Sequence, residues 1–148
     1  MTATAHALVG AAIATAVPNP VIGIPLALAS HPLLDMIPHW DEGRGWRKKT
    51  KFHFLLEGML DLSLAFFLSY ALFGSHINIY YYFSAVIASL FLDLVQLPYW
   101  FLGWKFPPFS WVYKLQSAMN GRTTPVFGIF TQVATVFAVF LALQVFHY

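Results

Sequence analysis

Long apolar runs constrain this chain more than any other feature. Residues 52–73, 79–102 and 125–146 each supply the ~20 apolar residues that cross a hydrocarbon layer of ~30 Å. Two shorter runs precede them, 3–17 and 21–38, parted by the turn Pro18-Asn19-Pro20. At ~1.5 Å per residue the first is only ~22 Å long, so it is expected to tilt little or stop short of the far side. A cleaved signal peptide fits this run poorly, because no Lys or Arg precedes it and a second apolar run follows at once. The expected fold is therefore all-α: one domain of 148 residues, an integral membrane bundle of about five helices. Residues 103–122, rich in Trp, Phe and Tyr, are expected to lie at the interface as an aromatic segment.

Composition agrees. Only 9% of the residues are charged, against about 25% in ordinary soluble domains. A soluble bundle could not cover its outside with so little charge. The net charge of +2 comes with no polar surface beside the basic residues, which excludes a nucleic-acid partner. Without cysteine, disulfides and thiolate metal sites are excluded as well.

Orientation follows from the basic residues in short loops. Arg44, Arg47, Lys48, Lys49 and Lys51 separate the second and third runs, and Lys105, Lys114 and Arg122 separate the fourth and fifth. These eight are all the Lys and Arg in the chain. With five spans both loops fall on one side, so the N-terminus is expected to be cytoplasmic.

Acids inside such runs need a reason. Asp35, Glu57, Asp61 and Asp93 lie within expected spans, with no Lys or Arg in a span to neutralise them. A carboxylate at the bilayer centre costs at least ~2.5 kcal/mol, so each must be protonated, face water or bind a cation. Spacing favours the cation. His31 and Asp35 are one turn apart, as are His53, Glu57 and Asp61, and residues four apart share a helix face. Helix bundles build metal sites from such pairs on facing helices. The expected ligands are His6, His31, Asp35, Asp61 and Asp93, with His39 and Asp41 as additional candidates from the loop. Mixed imidazole and carboxylate ligation suits Zn, Mn or Fe better than Mg. Glu57 or Asp61 is expected to serve as general base, and Arg47, Lys48 and Lys49 to hold an anionic group. His53 reads as structural, Asn120 and Gln132 as minor candidates for the pocket wall, and His76 and His147 receive no role.

The stretch Thr2-Ala3-Thr4-Ala5-His6-Ala7-Leu8-Val9-Gly10, with Ser30-His31-Pro32-Leu33-Leu34-Asp35 and Ile37-Pro38-His39-Trp40-Asp41, resembles the predicted membrane-bound metal-dependent hydrolases. That family includes the LexA-regulated inner-membrane hydrolase type. The resemblance covers about the first third of the chain, and His6, His31 and Asp35 carry it. It implies a multi-pass inner-membrane bundle with a divalent metal and hydrolytic activity. The family's Pro-Asp-x-Asp-His and Thr-His-Ser elements are missing, and His39 with Asp41 is at best a rearranged form of the first. The leading expectation is a metal-dependent hydrolase at the cytoplasmic face, acting on a phosphate ester of a lipid-like substrate. Two alternatives use the same carboxylates: a proton- or cation-binding transporter, and a structural membrane subunit.

Overall fold

The computed structural model describes residues 1–145. The end of the fifth expected span and His147 lie outside the described residues, as does the side chain of His76. Among the described residues the chain is all-helical. It forms six α-helices: α1 (Ala3–Ala16), α2 (Pro20–Asp35), α3 (Lys51–Phe73), α4 (Ile79–Leu97), α5 (Phe109–Met119) and α6 (Pro125–Val145). Five of these match the expected runs to within a few residues. The sixth, α5, corrects the count: the aromatic segment forms a helix of its own, with Ser110 and Gln116 buried. The run ending at Pro38 also stops early, at Asp35. Residues 36–41 leave the helix and pair with residues 121–123, where the Gly121 N–H donates to Asp35 O at 2.8 Å and the His39 N–H to Gly121 O at 2.7 Å.

Helix starts are set by capping side chains. Thr2, Asn19, Thr50 and Asn78 each accept a hydrogen bond from a backbone N–H in the first turn. Such a bond satisfies one of the donors that a helix leaves unpaired at its start.

The centre of the bundle is its smallest-residue helix. α1 packs against α2, α3, α4 and α6, and buries Ala5, His6, Ala7, Val9, Gly10, Ala11, Ala12 and Ala14. Small side chains let four neighbours approach it closely. A Cβ built on Gly10 would sit 2.6 Å from Ser89 Oγ, so α1 and α4 touch there at backbone distance.

The outer helices turn large apolar side chains outward: Val21, Phe52, Phe67 and Val126 are each at least 70% exposed. Three stretches, Lys51–Phe73, Ile79–Leu102 and Pro125–Leu143, are long and apolar enough to cross a membrane. The third and fifth expected spans thus face outward over most of their surface, and the first is the core.

Both basic loops lie at one end of the bundle. Arg44 donates to Thr123 O, Arg47 to the Tyr113 hydroxyl at 3.1 Å, and Lys51 to Phe101 O at 2.9 Å.

Candidate metal centre

At that same end, three imidazoles converge on one carboxylate. Asp35 ends α2 and is 4% exposed; His6, His31 and His39 are each within 1% of fully buried. Asp35 Oδ1 lies 3.1 Å from His6 Nε2 and 3.8 Å from His39 Nε2, and Oδ2 lies 3.3 Å from His31 Nε2. The amino group of Met1 also contacts Oδ1. The His6 and His31 rings stack 3.8 Å apart at 7°. Asp93 of α4 enters from the other side, its Oδ1 3.6 Å from His31 Nε2. His6, His31 and Asp93 hold ligand atoms within 4.8 Å of one another.

The far side of two rings decides their chemistry. His31 Nδ1 donates to Ser89 O at 2.6 Å, and His39 Nδ1 donates to Ile37 O at 2.8 Å. In a neutral ring this leaves Nε2 with a lone pair. Both lone pairs then face carboxylate oxygens: those of Asp35 and Asp93 for His31, and for His39 those of Asp35 and, at 3.2 Å, Asp41 Oδ2. At His39 and Asp41 acceptor then meets acceptor, which a proton or a cation between them resolves; around Asp35 the Met1 amino group already supplies one positive charge. Ligand atoms sharing one Zn at ~2.0–2.2 Å stand about 3.3 Å apart in a tetrahedron. The observed pairs bracket that value, and carbonyl-held Nδ1 atoms are the usual support of a metal-ligating histidine. The donor set therefore fits a divalent metal. His6 Nδ1, buried without a hydrogen-bond partner among the described residues, is the one ring nitrogen lacking such support.

Amides complete the shell. The Gln116 side chain of α5 donates to His31 Nε2 at 2.7 Å and to Asp93 Oδ1 at 3.2 Å, and Asn120 donates to Asp41 Oδ2 at 3.2 Å. Gln132 accepts from the Thr2 N–H at 2.8 Å and donates to Trp40 O at 2.7 Å, tying α6 to both site-bearing segments. In the loop, burial works to raise the Asp41 carboxyl, but the His39 imidazole beside it, the nearby Met1 amino group and a hydrogen bond from Asn120 hold it below the usual carboxylate range. Glu42 goes the other way: burial, then the negative charge of Asp61, push it up to about 7.

The structure thus brings together His6, His31, Asp35 and Asp93 with the loop residues His39 and Asp41. It does not bring Asp61 or Glu57 to them. Asp61 caps α1 instead, accepting from the Ala3 N–H at 2.6 Å, the Thr4 N–H at 3.2 Å and the Thr4 hydroxyl at 2.6 Å. A carboxylate at a helix N-terminus is held by free N–H groups and by the helix dipole. From there it positions His6, one turn into the helix it caps, while lining the same cavity as Asp35 and Asp93. Asp61→Ala should therefore cost about 1–2 kcal/mol of stability while leaving metal stoichiometry intact. Chemical denaturation in detergent, paired with elemental analysis, reads both. Glu57 pairs with Lys49 and, at 3.2 Å, with His53, away from the cluster.

The expected anion-binding trio is also redistributed. Arg47 lies 5.0 Å over the Trp46 ring and bonds Tyr113, while Lys49 holds Glu57 and, at 2.9 Å, Glu42 O. None of Arg47, Lys48 or Lys49 lines the cavity of about 250 Å³ that reaches Asp35 and Asp93; Arg122 is the basic side chain that does. Its wall is acidic, with Asp41, Glu42 and Asp61 in addition.

Sequence reasoning passed over Gln116 and Arg122. Gln116 offered one signal, a polar residue amid the aromatics of 103–122, but nothing local tied it to His31, 85 positions away. The chain matches no family model, no curated protein and no solved structure.

Proposed function

We propose that this chain is a multi-pass membrane protein whose His6, His31, Asp35, His39 and Asp93 side chains hold a divalent metal, and that it hydrolyses a substrate reaching that metal from the cavity. One observation carries the reading: His6, His31, His39 and Asp93 converge around Asp35, with His31 and His39 held through Nδ1 by the carbonyls of Ser89 and Ile37 so that each Nε2 faces carboxylate oxygens. When bound, such a metal supplies Lewis acidity, lowering the pKa of water toward ~7 and polarising the bond to be cut.

The chain's own residues do the rest. The carbonyls of Ser89 and Ile37 hold Nδ1 of His31 and His39 and so turn both Nε2 atoms toward the site. Gln116 reaches both His31 and Asp93 and can turn its amide to donate or accept at the cavity wall. Glu42, whose carboxyl burial and the negative charge of Asp61 push up, lines the same cavity and can take or give a proton there. The likeness of the N-terminal third to the membrane-bound metal-dependent hydrolases supports hydrolysis as the chemistry. With the acidic wall, the anionic group of a phosphate ester would meet the metal and Arg122 rather than Arg47, Lys48 and Lys49.

The deciding measurement is elemental analysis of protein purified without chelators or affinity-tag metals. About one equivalent of Zn, Mn or Fe is expected, falling as pH drops through the imidazole range because the ligands must be deprotonated. Metal-free protein with unchanged folding would leave imidazolium–carboxylate pairs as the reconciling charge and sink the proposal.

Membrane placement is read from the three long apolar helices, the outward apolar side chains and the two basic loops gathered at one end. We place that end in the cytoplasm. Lys48→Cys, introduced into this cysteine-free chain, should react with an impermeant thiol reagent only after cells are opened. Labelling from outside intact cells would invert the orientation.

A further inference from the structure

The cavity is not confined to the bundle's interior. α3 and α4 pack on α1 rather than on each other along most of their length. Among the described residues, aromatic side chains bridge α3 to α4 toward one end, Phe66 to Phe83 at 6.1 Å and Tyr70 to Tyr82 at 5.5 Å, and join α3 to the residues just past α4 at the other, Phe54 to Trp100 and to Phe101, each at 5.4 Å. Between these bridges lies a slot. Leu55, Gly58, Met59 and Leu62 line the cavity from α3 at the i, i+3, i+4, i+7 spacing of a single helix face. Leu90, Leu94 and Leu97 line it from α4 at i, i+4, i+7.

The same wall is also outer surface. Leu55 is 48% exposed, Met59 52%, Leu94 37% and Leu97 41%, whereas Leu90, deeper in, is 2% exposed. The slot is open beside Gly58 at its midpoint, where a Cβ would meet nothing within 4 Å. Leu55 to Leu62 fall 4 to 11 residues into α3, or ~6–16 Å along its axis, which is the acyl layer of one leaflet rather than the headgroup plane. At the inner end of this aliphatic wall stand Asp35 and Asp93. The indole N–H of Trp100, whose ring also lines the cavity, is buried without a partner among the described residues.

We propose that this slot admits one acyl chain of a membrane lipid sideways from the bilayer and so brings the lipid's polar head to the His–Asp cluster. The proposal deepens the reading above and rests on it for the chemistry at the cluster. An aliphatic groove facing lipid fits a hydrocarbon chain, and its acidic, amide-lined inner end fits the polar part of the same molecule. At about 250 Å³ the cavity is smaller than the ~300–1,000 Å³ that encloses a drug-sized ligand, so the rest of the lipid stays in the leaflet. The unpartnered Trp100 N–H would donate to an ester or phosphate oxygen at the junction of chain and head.

The test uses the full chain reconstituted in phosphatidylethanolamine–phosphatidylglycerol vesicles doped with phosphatidylglycerol bearing a diazirine midway along one acyl chain. After irradiation, adducts are mapped by peptide mass spectrometry. Adducts are expected at Leu90, which bulk lipid cannot reach from outside, and at the half-buried Leu62, as well as on outward residues such as Val126 and Phe130. Gly58→Trp, placed in open space, should lower labelling at Leu62 and Leu90 on the order of tenfold and leave Val126 and Phe130 unchanged. Leu94→Trp repeats the block from the opposite wall, and circular dichroism with size-exclusion elution confirms that both variants fold. Labelling confined to outward residues, or inner labelling that neither tryptophan reduces, would overturn the slot. Labelling is read with and without chelator: slot labelling in a protein that binds no metal would retain the lipid and discard the hydrolase, and a metal-bearing protein without slot labelling would do the reverse.

Discussion

Asp35→Asn is expected to weaken metal binding by on the order of 100-fold or more, the largest effect of any single substitution in this protein. The variant keeps the size of the side chain and removes the charge toward which His6, His31 and His39 all point. Stability should fall with it, by about 3 kcal/mol, because the Met1 amino group would be left buried without its partner. Isothermal titration with Zn or Mn measures the first effect, and denaturation in detergent the second. A variant that kept full metal affinity would place the metal elsewhere or nowhere. His31→Ala would remove a ligand too, but it also opens a cavity beside Ser89, which makes the asparagine variant the cleaner comparison.

The second large effect is remote from any ligand. Gly10→Val should destabilise the bundle by about 3 kcal/mol and empty the metal site together. Even a single added carbon at Gly10 would sit 2.6 Å from Ser89 Oγ and 3.1 Å from Ala85 O, so α4 must move away from α1. Ser89 is also the residue whose carbonyl holds His31 Nδ1. Displacing it frees the ring to rotate and loses the tautomer on which ligation depends. Loss of stability without loss of metal would show that Ser89 does not position His31. Gly10→Ala grades the effect, with a smaller loss of both.

These two variants locate the boundary between what was written locally in the chain and what was not. The helical class, the three long apolar stretches and the starts of α1 to α4 follow from run length and from caps such as Thr50 and Asn78, which act within a turn of themselves. The pairing of His31 with Asp35 is likewise local, since residues four apart share a face. Those features the sequence determined by itself.

Tertiary structure decided which polar residues meet. Asp61 carries the same i, i+4 spacing from Glu57 that Asp35 has from His31, yet one pair faces a crowded centre and the other does not. The difference lies in what packs opposite. α1 ends its first turn against Asp61, whose carboxylate is taken by the N–H groups of Ala3 and Thr4, while Glu57 is drawn off by Lys49 and His53. His39 and Asp41 joined the cluster because residues 36–41 leave the helix and pair with 121–123, a contact across more than eighty positions. Gln116 arrived on a helix that aromatic content had disguised as an interfacial strap. Spacing along one helix fixes which side chains point together; only the packing of several helices fixes what they point at.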